Sequence, residues 1–579
     1  MDNPPVSELR DRFDAVMSHS SLREMLVSPG GLVVALTFVG LVVRLFQVGV
    51  PPLLDGESII GLAANSFAET GQNMLPAGHP YKRGELLTIL SGMSMALFGK
   101  SAFALRLPMV LVGTLTIPLI YLLGRETFDT RVALVATALQ TFALVNIAWS
   151  RTARFYTLLQ LFILVGLLLY LRARSVVTVS YIARSVSVAD RKRALAYVGS
   201  LMVVLVLGNQ IHRGWILLPA IIGLHIVIPN RTEPVEVMRA KTLLSLFVLV
   251  NVCYVVFAND LLVPTQFLEL VGLGNLETVS VWEHPQTQSS PVFFYLTYYP
   301  LLSAFAVLGS LVVLWRRGRA ETLVFVGMYS SLFFFTYFGE NFRFVWRPRY
   351  LLLTLPLFFL LAAAGSITLF EWLGARLDDL GLREYDIRDV STRNVLLAVF
   401  AVLLITTPVS QGVQFTTDPY TLSRLEVPRT NYQGACEVMS GEVHSGDAVI
   451  TNRPNQLYFW IEKVDYRGNA RTAEWTAVPG RDHYTGAEII HNVSEMKQTI
   501  RSHDRVWIVY NPFMNLVGEQ WIRDHMTQRA VVDPAFEDRF PQGLYSEYLS
   551  KHENDERVYI YTKGIGSVEP EGTPVEGVC

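Results

Sequence analysis

The chain has 579 residues, of which 51% are hydrophobic and 17% are charged, against about 25% charged residues in ordinary soluble domains. This composition excludes a soluble enzyme and a disordered chain. The 48 basic and 50 acidic residues give a formal net charge of -2, which offers no global basic field for nucleic acid.

Long apolar runs recur through the first 410 residues. About 20 apolar residues cross a bilayer as a helix, and residues 31–50 form the first such run, after a polar segment at 1–30. Further runs lie near 103–124, 132–150, 155–171, 195–211, 214–228, 242–263, 292–315, 321–338, 350–373 and 394–410. We therefore predict an α-helical polytopic membrane protein with about eleven transmembrane helices, and a transmembrane domain over residues 31–410.

The apolar run at 85–99 is only about 15 residues long, so we interpret it as an interfacial or re-entrant helix. With a cytoplasmic N-terminal segment at 1–30, two of the resulting cytoplasmic loops are rich in basic residues. The first loop carries Arg172, Arg174, Arg184, Arg191, Lys192 and Arg193, and the second carries Arg316, Arg317 and Arg319. The positive-inside rule favours this orientation in the cell membrane.

From about residue 411 the composition becomes polar, with 24 acidic and 16 basic residues. Short β-like runs alternate there with helical patterns, which predicts a soluble α/β domain over 411–579. An odd number of spans places this domain outside the cytoplasm. The three cysteines of the chain are too few for a disulfide framework, so at most one bridge, between Cys436 and Cys579, is conceivable.

Two carboxylates, Asp55 and Glu57, follow the first predicted span. Acidic residues are common at helix N-termini, where they cap the helix and interact favourably with its dipole. A carboxylate at the mouth of a membrane helix also suits acid–base chemistry. The sequence alone leaves both interpretations open, with Asp55 as the expected cap in the first.

The predicted outer loops contain more basic residues than the positive-inside rule leads one to expect. They carry Lys82, Arg83, Lys100, Arg151, Arg154, Arg213, Arg343, Arg347 and Arg349, and Arg106 lies just inside the helix that follows the first of these loops. Guanidinium groups bind phosphate bidentately and keep their charge. Each arginine alone is explained by snorkelling to lipid headgroups, whereas the combined set favours a site for an anionic headgroup.

Several motifs occur in a definite order along the chain. Asp55 and Glu57 precede Gly78-His79-Pro80-Tyr81-Lys82-Arg83-Gly84, then Leu97-Phe98-Gly99-Lys100, Arg106-Leu107-Pro108, Ser150–Tyr156 and Arg349-Tyr350. This set resembles the GT-C fold glycosyltransferases that use polyprenyl-phosphate sugars. The resemblance covers roughly residues 30–370 and is to the branch with protein O-mannosyltransferases and the aminoarabinose transferase of lipid A.

The resemblance implies an inverting membrane glycosyltransferase that moves a sugar, hexosyl or pentosyl, from a polyprenyl-phosphate donor to a protein, glycan or lipid acceptor on the outer face. Asp55 would act as the base; because Gly56 separates the usual adjacent Asp-Glu pair, Glu57 is the alternative. Binding of the donor phosphate falls to Lys82, Arg83, Arg154, Arg343 and Arg349, and substrate binding to His79, Tyr81 and Tyr156. No metal or other cofactor is required, because the cations neutralise the leaving phosphate.

A transporter or a lipid-handling protein without covalent chemistry is the alternative interpretation. Transporters place polar sites near the bilayer midplane and often contain inverted repeats. In this sequence the charges collect at one interface and no repeat is visible, which disfavours a transporter. The expected partners are therefore the lipid-linked sugar donor, its acceptor and membrane lipids, without nucleic acid.

Overall fold

The structure is a computed structural model that describes residues 28–182, 188–227, 291–316, 318–341, 348–379, 430–468, 480–512, 515–533, 557–575, 577 and 579. Among these residues, the helices before residue 380 are α1 Pro29–Leu45, α2 Asp55–Thr70, α3 Glu85–Phe98, α4 Ala102–Thr127, α5 Thr130–Phe142, α6 Leu144–Ser150, α7 Tyr156–Ile182, α8 Val188–Asn209, α9 Leu217–Val227, α10 Pro291–Tyr298, α11 Pro300–Arg316, α12 Arg319–Asn341 and α13 Leu355–Asp379. Two 3-10 segments, Arg213–Ile216 and Pro348–Leu353, precede α9 and α13.

Three apolar segments in the described part of the chain are long enough to cross a membrane: Ala102–Thr127, Tyr156–Val176 and Leu355–Leu373. The short predicted helix at 85–99 is present as α3, with 14 residues. The run at 132–150 is not one helix, because the extended conformation of Ala143 separates α5 from α6. The predicted spans at 242–263 and 394–410 lie outside the described residues, so the total of about eleven stays a prediction.

The described residues cluster into two compact units. The first comprises the described residues within Met1–Arg44, Leu111–Ile147 and Tyr156–Phe415, and the second comprises those within Leu45–Val110, Ala148–Phe155 and Thr416–Cys579. The second unit therefore combines the segment after α1 with the C-terminal part of the sequence. The predicted division at residues 30 and 410 remains a hypothesis.

In the first unit, α11 and α13 approach each other at two glycines. A Cβ atom at Gly309 would lie 2.0 Å from the main-chain oxygen of Leu361, and one at Gly365 would lie 2.0 Å from that of Phe305. Small residues at such positions allow membrane helices to pack backbone against backbone. The contact is possible only because both positions lack a side chain.

Arg44 is buried within the same unit, at the end of α1. Its guanidinium donates hydrogen bonds to the main-chain oxygens of Gly40 at 3.1 Å, Thr141 at 3.2 Å and Gln140 at 3.3 Å. Carbonyls in the last turn of a helix lack intrahelical partners, and a cation at that end is favourable. Arg44 therefore stabilises the C-terminal end of α5.

The C-terminal α/β region, residues 430–579 of the second unit, is built on one sheet. Its elements are α14 Tyr432–Met439, β1 Ala448–Thr451, α15 Pro454–Ile461, β2 Tyr466–Arg467, β3 Glu488–Ile489, α16 Val493–Ser502, β4 Val506–Tyr510, α17 Glu519–His525, β5 Thr527–Val532 and β6 Val558–Lys563. The strand order is β3-β2-β1-β4-β6-β5. The first four strands in this order are parallel, and β6 pairs antiparallel with β4 and β5.

The sheet agrees with the sequence patterns. The β-like runs near 447–451, 505–510 and 557–562 are β1, β4 and β6. Strands β1 and β4 are buried along their whole length, as expected for parallel strands covered on both faces. Cys436 of α14 and Cys579 form a disulfide, with Cα atoms 5.8 Å apart.

Candidate functional site

Helix α2 begins in the segment that carries the two carboxylates. Leu54 is the N-cap residue, Asp55 is the first helical residue and Glu57 is the third. The Leu54 main-chain N–H donates to the Glu57 Oε2 at 2.9 Å. This is the reciprocal half of a capping box, so Glu57, rather than Asp55, provides the capping carboxylate.

Glu57 is fully buried and paired with a fully buried arginine, Arg106 of α4. Nε of Arg106 lies 2.9 Å from the Glu57 Oε1, and Nη2 lies 2.9 Å from Oε2. The Ala153 main-chain N–H donates to Oε1 at 2.8 Å. Both oxygens of Glu57 are therefore engaged, and Glu57 acts as a structural anchor that joins α2, α4 and the segment after α6.

Arg106 also holds the loop between α1 and α2. Its Nη1 donates to the main-chain oxygens of Val48 at 2.8 Å and Pro51 at 2.7 Å, and its Nη2 to that of Pro52 at 2.9 Å. With the two bonds to Glu57, the five N–H groups of the guanidinium all have partners. Arg106 thus fixes the backbone that leads into Asp55.

Asp55 is in a different environment, because its side chain is 44% exposed. Its Oδ1 lies 3.6 Å from Nη1 of Arg453 and accepts a hydrogen bond from Nδ2 of Asn455 at 3.4 Å. Oδ2 has no hydrogen-bond partner among the residues that the structure describes. The two carboxylates are thereby distinguished, since Asp55 keeps an oxygen available to a substrate and Glu57 does not.

Arg154 lies against Gly56, between the two carboxylates in sequence. Its Nη1 donates to the Gly56 main-chain oxygen at 3.0 Å, and a Cβ atom at position 56 would lie 2.2 Å from Nη1. The departure from an adjacent Asp-Glu pair therefore has a steric function, because Gly56 leaves space for a guanidinium. The neighbouring Arg151 has a different role, since it is buried and donates to the main-chain oxygen of Phe46 at 2.6 Å.

Four charged side chains influence the phenol of Tyr484. Burial raises its pKa, as do the charges of Asp55 and Asp482, whereas Arg83 and Arg154 lower it. Asp55, Arg83 and Arg154 therefore all act on the phenol of Tyr484. Lys82 and Arg83 are both exposed, and neither donates a hydrogen bond to a residue in the described ranges.

His79 and Tyr81 belong to the loop between α2 and α3. Nε2 of His79 lies 3.1 Å from Nδ1 of His483, and the Ala77 main-chain N–H donates to the main-chain oxygen of Tyr484 at 3.2 Å. The ring of Tyr81 is buried. The loop is therefore joined to the C-terminal α/β region, and substrate binding by His79 and Tyr81 stays a prediction.

The other two described candidates, Tyr156 and Arg349, belong to the first unit. The Arg349 guanidinium carbon lies 5.8 Å from the ring centre of Tyr156 and 5.7 Å from that of Tyr350. Tyr156 also makes an edge contact with His212, at 6.1 Å between ring centres. Arg349 is thus held by aromatic faces. Arg343 lies outside the described residues.

Several residues that contact Asp55 or the loop between α2 and α3 are not expected from the sequence. They are Arg453, Asn455, His483 and Tyr484, all from the C-terminal α/β region. The signal that points to the first two is the run Asn452-Arg453-Pro454-Asn455 directly after a buried strand, where polar residues meet a helix start. Among the described residues, no three His, Cys, Asp or Glu side chains come together as metal ligands would.

The comparisons with known proteins agree with this architecture. Residues 86–232 match the family model described as dolichyl-phosphate-mannose-protein mannosyltransferase. No curated protein sequence matches the chain. Among solved structures, the chain is similar to the archaeal oligosaccharyltransferase AglB from Archaeoglobus fulgidus in complex with an inhibitory peptide and a dolichol-phosphate. The TM-score is 0.54 and the identity 13%, over 83% of this chain and 69% of that chain.

ArnT from Cupriavidus metallidurans gives a match over more of its length. Its undecaprenyl phosphate complex has a TM-score of 0.54 and 14% identity, over 93% of this chain and 99% of that chain. Its apo state has a TM-score of 0.52 and 15% identity, over 94% and 99%. The resemblance to the GT-C fold is therefore confirmed: the chain has the fold of these polytopic membrane glycosyltransferases.

Proposed function

We propose that the chain is an inverting membrane glycosyltransferase that takes a sugar from a polyprenyl-phosphate donor and transfers it to a protein, glycan or lipid acceptor. The GT-C fold and the family match at residues 86–232 support this reaction class. The observation that carries the proposal is the environment of Asp55, where an exposed carboxylate with an unengaged oxygen is followed by Gly56, whose main-chain oxygen accepts a hydrogen bond from Arg154 at 3.0 Å.

Asp55 is the proposed general base. Its Oδ2 takes the proton of an acceptor hydroxyl as that oxygen attacks the anomeric carbon of the sugar. The bond from that carbon to the phosphate oxygen breaks, and the polyprenyl phosphate leaves with the electron pair. Attack from the face opposite to the leaving group inverts the anomeric configuration. Glu57 is not available for this step, because its oxygens are engaged by Arg106, Leu54 and Ala153.

Charge grows on the phosphate as the donor bond breaks, and fixed cations stabilise such charge. We assign this role to Arg154, which Gly56 accommodates, and to the exposed Lys82 and Arg83. Arg349, whose guanidinium lies over two tyrosine rings, is the candidate from the first unit, and Arg343 is assigned from the sequence alone. These cations supply the neutralisation for which other enzymes use a metal ion.

We place the N-terminal segment in the cytoplasm and the C-terminal α/β region outside it. The basic cytoplasmic loops predicted by the positive-inside rule support this orientation. The disulfide between Cys436 and Cys579 also supports it, because disulfides form and persist in oxidising compartments. The acceptor then meets Asp55 on the outer face of the cell membrane.

The test is transfer of radiolabelled sugar from a panel of polyprenyl-phosphate sugars, by membranes that contain wild-type protein or a variant. We expect Asp55→Asn to lose activity by about 100-fold or more, the usual contribution of a general base, with unchanged membrane insertion. Glu69→Gln is the matched control, since Glu69 lies on the exposed end of the same helix.

Normal transfer by Asp55→Asn would contradict the assignment of the base. Binding of polyprenyl phosphate by wild type without consumption of any donor in the panel would favour the alternative, a lipid-handling protein without covalent chemistry.

A further inference from the structure

The sheet of the C-terminal α/β region has a point where the strand order reverses. From β1 the chain proceeds outward through β2 and β3, whereas β4 lies on the opposite side of β1. In open α/β sheets, ligands bind outside the carboxyl ends of the strands at this point of reversal. The relevant residues are therefore those that follow β1 and β4.

Polar residues occupy the carboxyl ends of both strands. Asn452 follows β1, and its Nδ2 donates to the Asn511 main-chain oxygen at 2.7 Å. Asn511 follows β4 and donates its main-chain N–H to the Asn452 Oδ1 at 3.2 Å. These bonds fix the backbone that leads into Arg453 and the first turn of α15.

Asp55 lies at this point of the sheet. Its Oδ1 is 3.6 Å from Nη1 of Arg453 and 3.4 Å from Nδ2 of Asn455, in the first turn of α15. The N-terminal end of a helix, together with a cation, is suited to an anionic group. The carboxylate of Asp55 thus occupies the place where an α/β domain ordinarily binds an anionic ligand.

Further contacts fix the position of α15 against α2 and against the residues that precede α2. Nε2 of Gln456, the next residue of α15, donates to the Leu53 main-chain oxygen at 3.0 Å. A Cβ atom at Gly61 of α2 would lie 2.5 Å from the Phe459 ring, so the two helices pack closely. The position of α15 against α2 is therefore set by contacts other than those of Asp55.

Two buried polar atoms at this contact lack partners in the described part of the chain: Nε of Arg453 and Oδ1 of Asn455. Asn455 is only 6% exposed. Buried polar groups are nearly always hydrogen-bonded, and exceptions require an explanation. The amide nitrogen of Asn455 donates to Asp55, whereas its amide oxygen has no partner among the described residues. This orientation of the amide is explained if the function of Asn455 is to bind the carboxylate.

We propose that the C-terminal α/β region contributes two positioning residues, Arg453 and Asn455, which hold Oδ1 of Asp55 and thereby direct Oδ2 toward the acceptor. This inference rests on the proposed role of Asp55 as the general base. It gives the C-terminal α/β region a part in the chemical step. The positioning residues act on the orientation of the base, and they do not bind the donor.

A misplaced base lowers the rate of the chemical step more than it weakens substrate binding. Arg453→Gln and Asn455→Ala are therefore expected to lower kcat by about 10- to 100-fold, with a small change in the KM for the acceptor. Binding of undecaprenyl phosphate should be unchanged. Arg453→Lys keeps a cation near Oδ1 and should recover a large part of kcat.

The experiment measures kcat, acceptor KM and undecaprenyl phosphate affinity for these three variants in the full chain. Arg529→Gln is the matched control, because Arg529 lies on β5 of the same sheet and forms an exposed ion pair with Glu442. A double-mutant cycle of Asp55→Asn with Arg453→Gln, read as the unfolding temperature, reports the contact independently of activity.

A wild-type kcat in Arg453→Gln and Asn455→Ala would overturn the inference and leave the proposed function standing. So would an equal loss in Arg453→Lys and Arg453→Gln accompanied by weaker donor binding. If Arg453→Gln does not fold, Asn455→Ala and Arg453→Lys decide. A wild type that transfers no sugar overturns the proposed function itself, and the unfolding cycle then shows whether the contact with Asp55 exists.

Discussion

Both oxygens of Glu57 are bound by Arg106, and neither side chain is exposed to solvent. Arg106 also binds three main-chain oxygens of the loop before α2. Loss of one member of a buried ion pair leaves an uncompensated charge and is strongly destabilising. The pair of Glu57 and Arg106 therefore stabilises the second unit. Asp55, two residues before Glu57, is instead the proposed base.

Arg106→Gln and Glu57→Gln are predicted to lower the free energy of unfolding by about 3–5 kcal/mol each. Asp55→Asn removes a carboxylate that is 44% exposed, so we expect a change below about 1 kcal/mol. Unfolding temperatures of the purified variants provide the comparison. A similar loss in all three would show that Asp55 is also structural, and no loss in the first two would refute the anchoring role of the pair.

Gly56→Ala is predicted to weaken donor binding, because the new Cβ atom would collide with Nη1 of Arg154 at 2.2 Å. We expect a loss of undecaprenyl phosphate affinity of about tenfold, similar to that of Arg154→Gln, since a charge-assisted hydrogen bond contributes about 1.5–3 kcal/mol. Gly30→Ala is the matched control, because its Cβ atom would meet no neighbour within 4 Å. Undiminished affinity in Gly56→Ala would show that Arg154 does not bind the donor phosphate from its present position.

The pair of His79 and His483 predicts sensitivity to acid. Burial and the charge of His79 lower the pKa of His483, which Asp482 partly offsets. A histidine with a lowered pKa stabilises the folded state above its ordinary value of about 6.5, and this stabilisation is lost as the pH falls through the lowered pKa. The wild-type unfolding temperature should therefore fall between pH 7.5 and pH 5.5, and by less in His483→Gln.

The control for this prediction is His491→Gln, because His491 is exposed. It should retain the acid sensitivity of the wild type. If wild type and His483→Gln respond equally to acid, His483 is not the source of the acid sensitivity.

The disulfide between Cys436 and Cys579 joins residues 143 positions apart. Closing so long a loop restricts the unfolded chain, and removal of a native disulfide typically costs about 2–5 kcal/mol. The double variant Cys436→Ser, Cys579→Ser is predicted to unfold at a lower temperature than wild type and to be unaffected by reductant. Peptide mapping without reduction should recover the two cysteines in one linked fragment, and their recovery as separate fragments would contradict the bond.

The sequence predicts elements whose signal is local. The run at 103–124 is the centre of α4, and the β-like runs near 447–451 and 505–510 are β1 and β4. The different roles of Asp55 and Glu57 are not local, because their partners are distant in sequence: Arg106 is 49 residues from Glu57 and Asn455 is 400 residues from Asp55. No periodicity or spacing conveys such a pairing.

The break at Ala143 was missed for a related reason. The residues on both sides are apolar, so hydropathy continues through a position where the backbone is extended. Hydropathy reports which residues avoid water, and it contains no information on where a helix ends. Composition therefore indicates a membrane protein, whereas the ends of the helices follow only from the conformation of the backbone.

The contact of Gly309 with Leu361 and of Gly365 with Phe305 has a mechanical meaning. At these two levels the main chains of the helices touch, so no side chain lies between them there that could change rotamer to allow sliding or rotation. Helices α11 and α13 must consequently move as one rigid body. Any rearrangement within the first unit is therefore confined to other helix contacts, and a bulky residue at either glycine would separate the two helices.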